Sequence, residues 1–168
     1  MRTDGESFTV ATLTISDAGA KGERVDTSGD VISEIAAREG LSELHREIVP
    51  DEEDLISGKL IEWCDGGEVD VIITTGGTGL GPRDVTPQAT KAVLDFEVPG
   101  IAEAMRVETL KNTPLAMLSR AVAGVRSGCL IVNLPGSPKG VRETLEVAME
   151  AIPHGLEMIQ GWRGHPRH

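Results

Sequence analysis

Three short apolar runs punctuate the chain: Phe8–Ile15 (FTVATLTI), Val69–Thr75 (VDVIITT) and Cys129–Leu134 (CLIVNL). Each is rich in β-branched residues and runs into Gly, Ser or Pro. Near-continuous apolar runs of this length predict strands of a parallel sheet covered on both faces. Leu44–Val49 (LHREIV) is a weaker fourth candidate, and Ala121–Val125 is placed to pair with Cys129–Leu134 through a turn at Ser127-Gly128.

Helical periodicity fills the intervals. Ser28–Glu39 sets Val31, Ile32, Ile35 and Ala36 on one face, and Glu52–Cys64 does the same with Ile56, Leu60, Trp63 and Cys64. Pro87–Leu94 has Thr86 in the N-cap position and Pro at the first helical residue; Pro138–Ile152 repeats the device with Ser137. A further helix is expected over Ile101–Lys111. Strands alternating with helices predict an α/β fold with one doubly wound, mostly parallel sheet and helices on both faces. One domain over residues 8–163 is expected, with a mobile start (1–7) and a mobile tail (164–168).

Composition narrows the chemistry. The 168 residues include 27 acidic and 16 basic side chains, a net charge of −11. A broad basic surface for nucleic acid or an anionic membrane is therefore not expected. Aromatics make up 2%, too few for base-stacking platforms. Cys64 and Cys129 lack metal or redox spacing and read as buried free thiols. His45, His154, His165 and His168 show no metal-ligand spacing, and His154 reads as structural. With no run long enough for a membrane helix and no visible signal peptide, the expected location is the reducing cytoplasm.

In open parallel sheets, ligands bind beyond the carboxyl ends of the strands. The segments there are Ser16-Asp17 onward to Asp26 and Ser28, Pro50-Asp51-Glu52, Thr75-Gly76-Gly77-Thr78-Gly79 onward to Arg83-Asp84, and Asn133-Leu134-Pro135-Gly136-Ser137-Pro138-Lys139. The glycines let backbone N–H groups approach an anion. The loop is neither GxxxxGK[ST] nor GxGxxG. Asp51 and Asp84, at neighbouring strand ends, fit Mg²⁺, which takes one or two carboxylates plus substrate oxygens. Simpler roles remain open: Asp51 as a helix N-cap, Asp84 as a partner of Arg83, and Asp26 and Ser28 as caps. Ser137 and Lys139 put a hydroxyl and a cation at a helix start, and Ser119-Arg120 add another such pair.

These segments, TTGGTG, PRDVTP, LSR and NLPGSPK, together resemble the MogA/MoaB family of molybdenum-cofactor biosynthesis proteins over roughly residues 8–160. The resemblance implies a doubly wound α/β domain, usually trimeric and in some members hexameric. It implies transfer of AMP from MgATP to the terminal phosphate of molybdopterin, with release of pyrophosphate and hand-over to a molybdate-inserting protein. Carried onto this chain, it makes Asp51 and Asp84 the required carboxylates and Mg²⁺ ligands. It puts Gly76–Gly79 and Leu134–Ser137 around the adenylate. Ser28, Ser119, Ser137 and Lys139 face phosphates or the pterin, with Ser16, Asp26, Thr75, Arg120 and Asn133 in the same binding segments. Gln88 departs from the family, which commonly has an acid there. The alternatives are a MoaB-like binder of molybdopterin or nucleotide without turnover, and a scaffold trimer.

Overall fold

The computed structural model describes residues 6–161; the expected mobile tail, most of the expected mobile start, and His165 and His168 lie outside them. Six strands form one sheet in the order β2-β1-β3-β6-β5-β4. They are β1 (Thr9–Ile15), β2 (Ser42–Val49), β3 (Val71–Thr75), β4 (Phe96–Glu97), β5 (Ala123–Arg126) and β6 (Cys129–Leu134). β2, β1, β3 and β6 run parallel, whereas β5 is antiparallel to both β6 and β4.

The helices are α1 (Asp17–Ala20), α2 (Thr27–Arg38), α3 (Glu53–Asp65), α4 (Thr86–Lys91), α5 (Pro99–Thr109), α6 (Pro138–Met149) and α7 (Ile152–Ile159), with a 3-10 turn over Pro114–Leu118. The strand side chains alternate between two cores. Val10, Val71, Ile73, Leu130 and Val132 pack with Ile32, Ile35, Met105, Leu145 and Leu156 from α2, α5, α6 and α7. On the other face Ala11, Leu13, Ile72 and Ile131 pack with Ile56, Leu60 and Trp63 of α3. Most of these side chains are fully buried, each worth about 1.5–3 kcal/mol if large. The doubly wound fold read from the sequence is the one observed.

Several boundaries differ for local reasons. The predicted helix Pro138–Ile152 is two helices, because Pro153 cannot extend the ladder and its ring would meet a carbonyl one turn back. β5 starts at Ala123 instead of Ala121: the Val122 amide bonds the Asn133 side chain, 3.3 Å away. Thr86 is not an N-cap. It lies inside α4, buried, and its hydroxyl donates to the Gly76 carbonyl at 2.9 Å. The turn at Ser127-Gly128 forms as expected, both residues having positive φ (48° and 76°). The two-residue strand β4 carried no apolar run to announce it.

Candidate functional site

The chain goes from β1 outward to β2 and then returns to β3 on the other side of β1, so loops diverge beyond the ends of β1 and β3. A cleft of about 310 Å³ opens there. Its walls are Thr14–Ser16 at the end of β1, Asp51 after β2, Thr75–Gly77 after β3, Gly136-Ser137 after β6, and the segment Arg24–Ser28 leading into α2.

Hydrogen bonds fix these loops to one another. Ser28 Oγ donates to the Gly136 carbonyl (2.6 Å) and Thr75 Oγ1 to the Pro135 carbonyl (2.7 Å). Asp26 caps α2 through the Gly29 amide (2.9 Å) and also accepts from Thr14 Oγ1 (2.9 Å) and Arg46 (3.2 Å). Ser137 caps α6 through the Gly140 amide (3.0 Å), and Ser16 caps α1 through Gly19 (3.0 Å). Two long helices therefore start at the cleft and direct their positive ends toward it.

The glycine loop is shaped by close packing. Gly76 (φ +99°) and Gly77 (φ +68°) occupy left-handed backbone. A Cβ on Gly76 would strike the Ile15 carbonyl. A Cβ on Gly77 would strike Thr86 Oγ1 and come within 3.3 Å of Asp51 Oδ1.

Asp51 does not cap α3; Glu52 holds that position without a side-chain bond. Instead Asp51 accepts from the Asp17 amide at 2.9 Å. Burial raises its carboxyl above the ordinary range, helped by the Asp17 and Asp84 charges and opposed by the Asp17 amide and Arg83. Asp84 does not pair Arg83. Its Oδ2 accepts from the Gly81 amide (2.9 Å) and would lie only 2.9 Å from a Cβ on Gly79 or on Gly81. Arg83 grips Asp17 through Nε (3.0 Å) and Nη2 (2.9 Å) and reaches Glu52 (3.0 Å). That grip holds the Asp17 carboxyl below its ordinary range.

Among the described residues no three His, Cys, Asp or Glu side chains converge as an all-protein metal site. The donor set suits a cation that keeps most of its coordination for water and phosphate: a desolvated carboxylate at Asp51, with the Asp84 charge acting on it.

Of the site residues read from the sequence, Ser16, Asp26, Ser28, Asp51, Thr75, Gly76, Gly77, Gly136 and Ser137 line this cleft. The others support it or lie beside it. Asn133 is fully buried, donating to Thr74 Oγ1 (3.0 Å) and Thr90 Oγ1 (3.1 Å), and Leu134 is also in the core. Thr78 is buried, with its carbonyl on the Arg120 amide. Arg120 donates to the Gly79 (2.9 Å) and Asp84 (2.6 Å) carbonyls and to Gln88 Oε1 (3.3 Å), bracing the glycine loop from behind. Ser119 and Arg120 face a second hollow, of about 420 Å³. Lys139 is exposed, 3.8 Å from Glu143.

Sequence reasoning left Thr14, Gly19, Arg24 and Val25 out of the site, although all line the cleft. Arg24 lay in a segment already assigned to this edge, and its charge beside Asp26 was the available signal. The two thiols are buried and free, and the hydrogen bond that the Cys129 thiol shares with Cys64, together with burial, pushes the Cys129 thiol up. His45 stacks on Trp63 with ring centroids 5.5 Å apart. His154 sits on the surface of α7, 3.8 Å from Glu157.

Residues 11–154 match the family described as "Probable molybdopterin binding domain". The chain belongs to this family, the MogA/MoaB group. The molybdopterin adenylyltransferase of Helicobacter pylori strain J99 is 46% identical over 158 residues, covering 93% of this chain and 90% of that protein. The crystal structure of the molybdopterin biosynthesis enzyme MoaB from Thermus thermophilus superposes with a TM-score of 0.87 at 51% identity, covering 92% of this chain and 97% of the other. The molybdopterin biosynthesis Mog protein of Mycobacterium ulcerans gives 0.87 at 39% identity, covering 94% and 99%. The cleft lies at the switch point of the doubly wound sheet. Among the described residues no helix is long and apolar enough to cross a membrane.

Proposed function

We propose that this chain is a molybdopterin adenylyltransferase. A terminal phosphate oxygen of molybdopterin attacks the α-phosphorus of ATP. The bond from that phosphorus to the bridging oxygen breaks, and pyrophosphate leaves with the electron pair. The nucleophile is already anionic, so no strong base is needed, and no nucleophilic side chain has to form a covalent intermediate. The difficulty is bringing two anions together.

The observation that carries the reading is Asp51: a partly buried carboxylate with a raised pKa, held against Gly77 at the switch point, between the starts of two helices. A carboxylate in that position is costly unless something positive binds it. Asp51 and Asp84 would hold Mg²⁺, which neutralises phosphate charge when bound. The amides of the glycine loop and the starts of α2 and α6 orient the phosphates. Ser28, Thr75 and Arg120 act by holding the loops that do this.

The adenylated pterin is then the substrate of a molybdate-inserting protein. Exposed apolar side chains on α5 and the following turn, Val107, Leu110, Leu115, Met117 and Leu118, support self-association, which the family resemblance makes a homotrimer or a hexamer; sedimentation reads the mass directly. Free buried thiols fit a reducing cytoplasm.

Pyrophosphate release from MgATP, with and without molybdopterin, tests the activity, with Asp84→Asn as the control. Release that needs pterin, Mg²⁺ and Asp84 is the expected result. Tight pterin binding without release would make the chain a binder, and binding of neither ligand would leave a scaffold.

A further inference from the structure

Two carboxylates and a single basic side chain line the cleft: Asp26, Asp51 and Arg24. Asp26 is engaged by Thr14, Gly29 and Arg46. The basic groups nearby are engaged as well: Arg46 on Asp26 and Asp30, Arg83 on Asp17 and Glu52, and Arg120 on the carbonyls of Gly79 and Asp84. Arg24 has no hydrogen bond or ion pair with any described residue. Its side chain is exposed at the mouth, next to Val25, which is 77% exposed.

The backbone around Arg24 is anchored while its side chain is not. The Gly22 amide donates to the Gly19 carbonyl (3.0 Å), Glu23 to Ala18 (3.0 Å) and Thr27 to Val25 (3.0 Å). An unpaired guanidinium on an anchored loop, in a protein of net charge −11, lies beside an acidic cleft that would repel an anionic ligand. Mg²⁺ held by Asp51 and Asp84 would offset part of a polyphosphate's charge, and a guanidinium at the mouth adds a direct contact that matches phosphate oxygens in pairs.

We propose that Arg24 is the specificity residue that receives phosphate oxygens of the incoming substrate at the cleft mouth. The assignment rests on the adenylyl-transfer reading. The phosphate has two sources, the triphosphate of ATP and the terminal phosphate of molybdopterin, and binding measurements separate them.

The test compares wild type, Arg24→Ala and Arg24→Lys. Calorimetry reads their affinities for adenosine, for Mg²⁺ with the non-transferable α,β-methylene ATP, and for molybdopterin. Arg24→Ala is expected to weaken one phosphate-bearing ligand about tenfold to a hundredfold while adenosine affinity is unchanged. Arg24→Lys should recover part of the loss, because the charge is kept and the fork is not. Loss confined to the ATP analogue assigns the triphosphate; loss confined to molybdopterin assigns the pterin phosphate. Equal affinities of wild type and Arg24→Ala for both ligands overturn the assignment alone. If wild type binds neither ligand, the adenylyl-transfer reading falls and takes the assignment with it.

Discussion

Asp17 and Asp51 bind each other twice. The Asp17 amide donates to Oδ2 of Asp51 at 2.9 Å, and the Asp51 amide donates to Oδ1 of Asp17 at 3.0 Å. Asp17 follows β1 and Asp51 follows β2, so the exchange locks two neighbouring strand ends together and aims both carboxylates. Environment then separates them: Arg83 pulls the Asp17 pKa down, and burial pushes the Asp51 pKa up.

Asp51→Asn should lower turnover by about 10² or more, the scale of a lost charge-stabilising group. An Asn oxygen can still accept from the Asp17 amide, so the fold should hold. The folded state binds the Asp51 proton more tightly than the unfolded state does. The resulting penalty is absent below the ordinary carboxylate pKa, builds as pH rises from there to the raised one, and is constant above it. At neutral pH the variant should therefore be more stable than wild type, by no more than about 1 kcal/mol because the carboxyl is only partly buried. Thermal melts at pH 4 and pH 7.5, without Mg²⁺, should show the gain only at the higher pH.

Arg83→Gln should release Asp17, and its carboxyl should titrate closer to the ordinary value when followed by NMR. The wild-type contact stabilises the fold above the unfolded carboxylate pKa and is lost as pH falls through the depressed one. The pair is solvent-exposed, so overall stability should change little. Turnover should fall about tenfold through looser aim of Asp51, with Mg²⁺ dependence shifted to higher concentration.

Gly77→Ala should destabilise by about 1–3 kcal/mol, because left-handed backbone and a clash with Thr86 coincide there. Gly58→Ala should do the reverse. It lies inside α3 with no atom within 4 Å of the new Cβ, so a gain of about 0.5–1 kcal/mol is expected. Urea unfolding of both variants checks the contrast.

Asn133→Leu should cost about 2–4 kcal/mol, since it strips the Thr74 and Thr90 hydroxyls and the Val122 amide of a buried partner. Equilibrium unfolding measures the loss. Affinity for the ATP analogue, measured where the variant is still folded, should stay within about threefold of wild type, because Asn133 does not line the cleft.

The sequence by itself determined the layers and the place of the site. Apolar runs such as Cys129–Leu134, flanked by helices of 3.6-residue period, admit few arrangements other than a covered parallel sheet, and such a sheet binds ligands at its carboxyl edge. The motifs TTGGTG and NLPGSPK therefore pointed to loops that line the cleft. Tertiary structure alone decided what each polar side chain in them does. Thr86 and Asn133 read as a cap and a binding residue, yet both bond inward, to Gly76 and to Thr74 and Thr90. Asp17 and Arg83 are far apart in sequence and meet only after β1, β2 and β3 assemble. Arg24 gave no local sign of being unpaired. Hydrophobic periodicity is a local property that a linear reading captures. Hydrogen-bond partnership and desolvation depend on which loops converge, and only the folded chain fixes that.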